Sequence, residues 1–442
     1  MTTMTIPAAA GSDRATDAQA SPAVLRKVLT ASFIGNFVEW FDYASYGYFA
    51  TVIAAVFFPE IAPQAALLAT FAVFALSFVI RPIGGIVWGS IGDRIGRKTA
   101  LSWSILIMSG ATTVIALLPS YHQIGMLAPV LLLLVRMVQG FSASGEYAGA
   151  TSFLAEYAPP AKRGFYTSMV PASTAAGLLA GSLMSALLFS QLDTAQLHGW
   201  GWRLPFLLAF PLGLVGLYIR LKLEDTPKFR ELEAKHHVEA TPTRELFTTY
   251  RKPVIRAFGV TCLNAVGFYL ILSYMPTYLI TEMGMEESAS FLANSIALFA
   301  YIFLIFLMGL LSDRFGRKTA LIAASVLFIV LTVPLFGMLE GASFAMIVLI
   351  QVIFGALLTV NDGTLPCFLT EIFPTRVRYS GFAFSFNTAN ALFGGTAPFV
   401  ATWLISATGS KTAPAWYLVA AAVVALVAML AARETAGKPL EE

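Results

Sequence analysis

The stretch Asp93-Arg94-Ile95-Gly96-Arg97-Lys98-Thr99-Ala100-Leu101 returns 220 positions later as Asp313-Arg314-Phe315-Gly316-Arg317-Lys318-Thr319-Ala320-Leu321. Eight of the nine residues coincide, far beyond chance. Further on, Glu156, Pro159, Arg163 and Gly164 recur as Glu371, Pro374, Arg378 and Gly381, at offsets of 215 to 217. The marks come in the same order in both copies, so the chain reads as two halves of like orientation.

The surroundings of the repeat decide its setting. Of 442 residues, 57% are hydrophobic and only 12% charged, against about 25% charged in an ordinary soluble domain. Mean hydropathy is +0.74. Apolar runs long enough to cross a hydrocarbon core about 30 Å thick recur from end to end. They predict spans at 27–57, 65–90, 99–118, 126–156, 164–190 and 203–221, then 254–280, 288–311, 319–338, 342–370, 379–407 and 412–432. The expected fold is an all-α integral membrane protein with twelve transmembrane helices in two parallel six-helix halves. Its parts are a disordered tail (1–26), an N-terminal half (27–221), a linker with a short amphipathic helix (222–253), a C-terminal half (254–432) and a short tail (433–442). With an even number of spans and the N-terminus inside, all but four of the 28 basic residues lie on the cytoplasmic side. The exceptions are Arg203 and Lys411 outside, and Arg81 and Arg136 within spans, so both termini read as cytoplasmic.

Several function classes fall away. Cys262 and Cys367 sit in apolar runs and read as packing residues, with no metal site. No phosphate-binding loop supports ATP-driven transport. All four histidines map to loops, which leaves an intramembrane enzyme without the usual base, so the chain is read as a non-enzyme. No added signalling domain is expected at either terminus.

The repeated stretch, extended to Gly89-x-x-x-Asp93-Arg94-x-Gly96-Arg97-Lys98 and its copy from Gly309 to Lys318, resembles the signature of the major facilitator superfamily. That resemblance covers residues 27 to 432 and implies transport by alternating access. Gly35-Asn36-x-x-Glu39-Trp40-Phe41-Asp42-Tyr43, Arg81-Pro82-Ile83-Gly84, Gln139-Gly140-Phe141-Ser142, Gly145-Glu146-Tyr147 and Trp200-Gly201-Trp202-Arg203 are similar to the metabolite:proton symporter family within it. Glu146-Tyr147-x-Gly149-Ala150 and Tyr274-Met275-Pro276-x-Tyr278-Leu279 look closest to its proline/betaine branch. Asn390-Ala391-Leu392-Phe393-Gly394-Gly395 looks more like the organic-acid branch. The long coiled-coil tail of osmosensing members has no counterpart here. The resemblance implies a bacterial inner-membrane importer, acting as a monomer on a small solute, with the proton as coupling ion and no other cofactor. Efflux or antiport within the superfamily and a non-transporting sensor are the alternatives; the Gly-Pro-x-x-Gly pattern of drug antiporters is absent from the fifth span.

Six ionisable residues interrupt the spans: Glu39, Asp42, Arg81, Arg136, Glu146 and Asp362. Each costs at least ~2.5–3.5 kcal/mol at a helix centre, so each needs a partner, a watery cavity or neutralisation. Glu39 and Asp42 share a face of the first span. Arg81 is expected to serve one of them while the other exchanges a proton. Arg136 and Glu146 lie about 15 Å apart along the fourth span and must find partners on other helices. At offset 215 they align with neutral Gln351 and Asn361. Proton coupling is therefore expected from these six residues, in the N-terminal half with Asp362 the exception, and substrate hydrogen bonding shared between halves. The cavity wall is expected from Tyr43, Tyr46, Gln139, Tyr147, Ser173 and Thr174, completed by Asn264, Tyr269, Asn361, Asn387 and Asn390. Tyrosine faces suit a quaternary ammonium group.

A third set concerns gating. Asp93 and Asp313 follow spans and are expected to accept amides of the next helix, with Arg94, Arg97, Arg314 and Arg317 near the interface. Asp93 and Arg97 are predicted to pair with the opposite half, including Glu371, and Asp313 and Arg317 with Glu156. Such a network closes the cytoplasmic side.

Overall fold

The computed structural model describes residues 22–234 and 242–441. Within them lie twelve long helices: α1 (Pro22–Tyr48, continued by Ala50–Phe57), α2 (Pro63–Val79 running into Arg81–Ile95), α3 (Arg97–Leu117), α4 (Leu127–Tyr157), α5 (Arg163–Thr167 then Met169–Gln191) and α6 (Arg203–Leu221). The second half holds α7 (Arg251–Gly267, a π turn Phe268–Tyr274, then Met275–Met283), α8 (Glu287–Phe315), α9 (Arg317–Gly337), α10 (Phe344–Asp362 then Leu365–Glu371), α11 (Arg378–Ala389, a π turn Asn390–Gly394, then Ala397–Thr408) and α12 (Ala413–Leu430). Eleven are long and apolar enough to cross a membrane. In α1 that character is diluted by Asn36, Glu39 and Asp42, all of which turn inward and are buried. Outward faces carry Phe299, Phe303, Val330 and Val427, the lipid-facing side of the same helices.

α1 begins at Pro22, five residues ahead of the expected start. Most of the expected N-terminal tail lies outside the described residues, as does linker segment 235–241. The rest of the linker holds two short helices, Pro227–Ala234 and Pro242–Thr248, where one was expected. The first presses Phe229 and Leu232 inward.

Both signature loops are single-residue breaks. Gly96 (φ 104°) separates α2 from α3, and Gly316 (φ 98°) separates α8 from α9. A side chain is strained at these angles, which explains the glycine in both copies. The halves meet chiefly where α2 packs on α11 and α5 on α8. The face carrying the signature loops, called the loop face below, is closed. The π turns in α7 and α11 loosen the helical register at mid-membrane, a feature that recurs at functional sites.

Candidate functional site

The intramembrane charges resolve into three pairs and one single acid. Deepest in the N-terminal half, Arg136 of α4 donates to Asp42 of α1 at 3.0 Å and to Gln139 at 2.8 Å. Gln139 in turn donates to Asp42 at 3.1 Å and to Thr112 of α3 at 2.7 Å. The guanidinium lies 4.1 Å from the centroid of the Tyr46 ring, whose hydroxyl is spent on the Thr70 carbonyl. Gln139 and Tyr46, expected in the cavity wall, belong instead to this buried knot of α1, α3 and α4.

One turn away the second pair is looser. Arg81 of α2 approaches Glu39 only to 3.6 Å, beyond hydrogen-bond length. Its Nε and Nη2 and the Oε2 of Glu39 are buried without a well-formed partner. Aromatic rings close around them: Arg81 lies 4.2 Å from the Phe78 centroid and 4.7 Å from that of Tyr43. Trp40 meets Phe268 of α7 edge-on at 4.9 Å, and Phe78 meets Tyr269 at 5.6 Å. Trp40 Nε1 and the Tyr269 hydroxyl are likewise buried and unpartnered, and the buried Tyr43 hydroxyl faces the Arg81 guanidinium. Folded proteins rarely leave such groups unsatisfied, so their convergence makes this the candidate site. Both halves contribute to it.

The third pair joins Glu146 of α4 to Arg220 of α6 in a two-pronged contact, and the same guanidinium donates to the Leu101 carbonyl at 2.7 Å. Sequence reasoning missed Arg220, because a basic residue in the last turn of a span is counted as an interfacial anchor. The structure buries it. Gly35 of α1 makes the room: a Cβ there would run into Arg220 and Glu146.

In the C-terminal half, Asp362 accepts from Asn264 of α7 at 2.7 Å and from Tyr301 of α8 at 2.6 Å. Tyr301 was not foreseen; nothing in the local pattern of α8 sets it apart from a packing aromatic. Among the described residues Asp362 has no ion-pair partner. Asn361 and Gln351, the positions aligned with Glu146 and Arg136, are buried with both amide atoms unpartnered.

Other expected wall residues have different roles. Ser173 and Thr174 of α5 both face the Asn36 amide of α1, at 2.8 and 2.7 Å, and fasten those helices together. Tyr147 lies flat on Phe386 of α11, 4.5 Å away, across the boundary between halves. Asn387 donates to the Ser144 carbonyl of the other half at 2.8 Å. Asn390 donates to its own helix at Phe386.

The loop face carries a duplicated lock. Asp93 accepts from the amides of Tyr379 (3.2 Å) and Ser380 (2.8 Å), at the start of α11. Asp313 accepts from Gly164 (2.8 Å) and Phe165 (2.9 Å), at the start of α5. Each acid thus caps a helix of the opposite half, not the next helix in its own. Capping of α3 and α9 falls to Asp225 and Glu434, which follow α6 and α12. Asp225-Thr226 and Glu434-Thr435 extend the internal repeat at offset 209, a signal that was readable in the sequence.

The glutamates also differ from expectation. Glu156 pairs with Arg97 of its own half at 3.4 Å and with Arg378 of the other at 2.8 Å. Glu371 pairs with Arg317 at 3.3 Å and crosses to Arg163 at 2.7 Å. The predicted bonds from Asp93 and Arg97 to Glu371, and from Asp313 and Arg317 to Glu156, are not formed; Arg163 and Arg378 make the crossings. Arg97 and Arg317 are fully buried, and Arg97 reaches the Thr375 carbonyl across the boundary at 2.6 Å. Only Arg94 and Arg314 stay exposed. Residues after α12 lie over the lock: the Lys438 carbonyl accepts from Arg163 and that of Glu441 from Thr375 and Arg378.

Twelve helices in two like halves, charges gathered at mid-membrane and a symmetric lock on one face define a carrier. The sequence matches the family model of the Major Facilitator Superfamily over residues 32–300 and that of the sugar (and other) transporters over 230–442. The chain belongs to the major facilitator superfamily and is a multi-pass membrane transporter. It is 40% identical over 426 residues to the glycine betaine/proline/ectoine/pipecolic acid transporter OusA of Dickeya dadantii, covering 94% of this chain and 85% of that protein. It is 38% identical over 430 residues to the proline/betaine transporter of Escherichia coli K12, with the same coverage. Among solved structures, the proton:xylose symporter XylE bound to 6-bromo-6-deoxy-D-glucose superposes with a TM-score of 0.82 at 18% identity, over 95% of this chain and 98% of that one.

Proposed function

We propose that this protein is a proton-coupled symporter that imports a zwitterionic solute of the proline or betaine kind. It would work as a monomer in a bacterial inner membrane, with the loop face and both termini cytoplasmic, as a carrier rather than an enzyme. The observation that carries this reading is the loosely held Arg81, whose buried donors lack a well-formed partner within a box of aromatic rings beside Glu39. A proton arriving on Glu39 releases Arg81. The guanidinium fork then binds the substrate carboxylate through two parallel hydrogen bonds. Trp40, Tyr43, Phe268 and Tyr269 offer π faces to the cationic nitrogen. Proton and solute thereby become mutually dependent cargo.

Translocation requires the two halves to rock about this box. The crossings Glu156–Arg378 and Glu371–Arg163 and the caps made by Asp93 and Asp313 hold the cytoplasmic side shut and must part for release. When the proton leaves Glu39, the acid recaptures Arg81 and displaces the carboxylate. A second reading puts the exchanging proton on Asp42, whose Oδ1 lacks a partner. The relatives' named substrates support the zwitterion over an organic acid.

The test is uptake by purified protein in liposomes with an imposed proton gradient, acid outside. Betaine and proline should accumulate, α-ketoglutarate, citrate and shikimate should not, and a protonophore should abolish accumulation. Accumulation that survives the protonophore would exclude symport.

A further inference from the structure

Three of the four mid-membrane acids have an arginine; Asp362 does not. Its two oxygens accept from neutral donors, Asn264 at 2.7 Å and Tyr301 at 2.6 Å, and it is buried. A carboxylate offers about four lone-pair sites, so two acceptor positions remain open after these bonds. An isolated buried charge is costly unless something compensates it.

The acid is close to the aromatic box. Asn264, which holds it, and Phe268, which touches Trp40, are four residues apart on α7 and so share a face about one turn apart. Tyr147 of α4 lies flat against Phe386 of α11, so the two halves are in aromatic contact here as well. The cluster thus continues the box into the C-terminal half.

Charge accounting gives it a use. When Glu39 carries the proton, Asp42 is still neutralised by Arg136 and Glu146 by Arg220. The two charges left over are Arg81, positive, and Asp362, negative. That is the complement of a zwitterion. We infer that Asp362, oriented by Asn264 and Tyr301, is the counter-charge for the cationic nitrogen of the substrate, opposite the Arg81 subsite for its carboxylate. The inference rests on the proposed function and extends it: the site selects for a positive nitrogen, not only for a small carboxylate.

Glycine betaine and 3,3-dimethylbutanoate have the same shape and carboxylate but differ in the charge of the central atom. Their competition for binding to purified protein, with no gradient, reads the subsite directly. The wild type should prefer betaine by about tenfold or more, about 1.4 kcal/mol per tenfold. In Asp362→Asn the preference should shrink to within about twofold, through weaker betaine binding. An unchanged ratio in the variant would overturn the inference. So would an unchanged ratio accompanied by lost uphill accumulation, which would make Asp362 a proton site, or binding by the wild type that requires sodium. Should the variant fail to fold, equal binding of the two compounds by the wild type alone would overturn it. A wild type that moves no zwitterion at all would instead sink the proposed function.

Discussion

Asp93 of α2 and the backbone amide of Ser380 on α11 are joined at 2.8 Å, although 287 residues separate them in the chain. The first residue of the signature therefore acts on the other half of the molecule. With the Tyr379 amide it supplies a helix cap in trans, and Asp313 repeats the arrangement on α5.

Losing such a cap costs about 1 kcal/mol. Asp93→Ala is expected to shift the balance between closed and open loop faces roughly fivefold toward open. Spin labels on the exposed Ile95 and Phe315, one in each half, would report a new population at longer distance. Unchanged distances would remove Asp93 from the gate.

The crossing Glu156–Arg378 is buried, so breaking it from one side should cost more than replacing both partners. Arg378→Gln alone is expected to destabilise the closed form by about 3 kcal/mol, and Glu156→Gln/Arg378→Gln by clearly less than the sum. A double-mutant cycle in thermal stability checks this; additivity would mean the pair does not couple the halves.

Arg220→Met strands Glu146 in the membrane and is expected to lower stability by about 3–5 kcal/mol. Adding Glu146→Gln should restore much of it. Gly35→Ala, which crowds the same pair, should be destabilising without touching any charge.

Glu434 supports the start of α9 and lies outside the spans. Burial opposes its ionised form, but the amides of Ala436, Arg317, Lys318 and Thr435 outweigh burial and hold its pKa below the ordinary glutamate value. A depressed acid stabilises the fold above its unfolded pKa, about 4.3, and the contribution disappears as pH falls through the lower folded value. Glu434→Gln should therefore raise amide exchange around Arg317 and Lys318 at neutral pH. The difference from the wild type should vanish at acid pH.

Much of this was legible in the sequence. Apolar runs fix helices by length alone, and the repeat at Asp93 and Asp313 fixes the relation of the halves. A charge in a span announces that it has a partner but not which one. Asp42 and Glu39 share a face of α1, yet take separate arginines, one from α4 and one from α2. Arg220 was misread because interfacial and buried basic residues look alike at the end of an apolar run. Asn36, not the cavity, explains Ser173 and Thr174, since polar residues serve helix contact in a membrane as readily as cargo.

The proton-gated release of Arg81 by Glu39 stands at the centre of the account. Betaine transport by Glu39→Gln in liposomes tests it, with exchange across a gradient-free membrane compared with accumulation under a proton gradient. A permanently neutral side chain should leave exchange close to wild type and abolish uphill accumulation. Accumulation at the wild-type level by this variant would contradict the account.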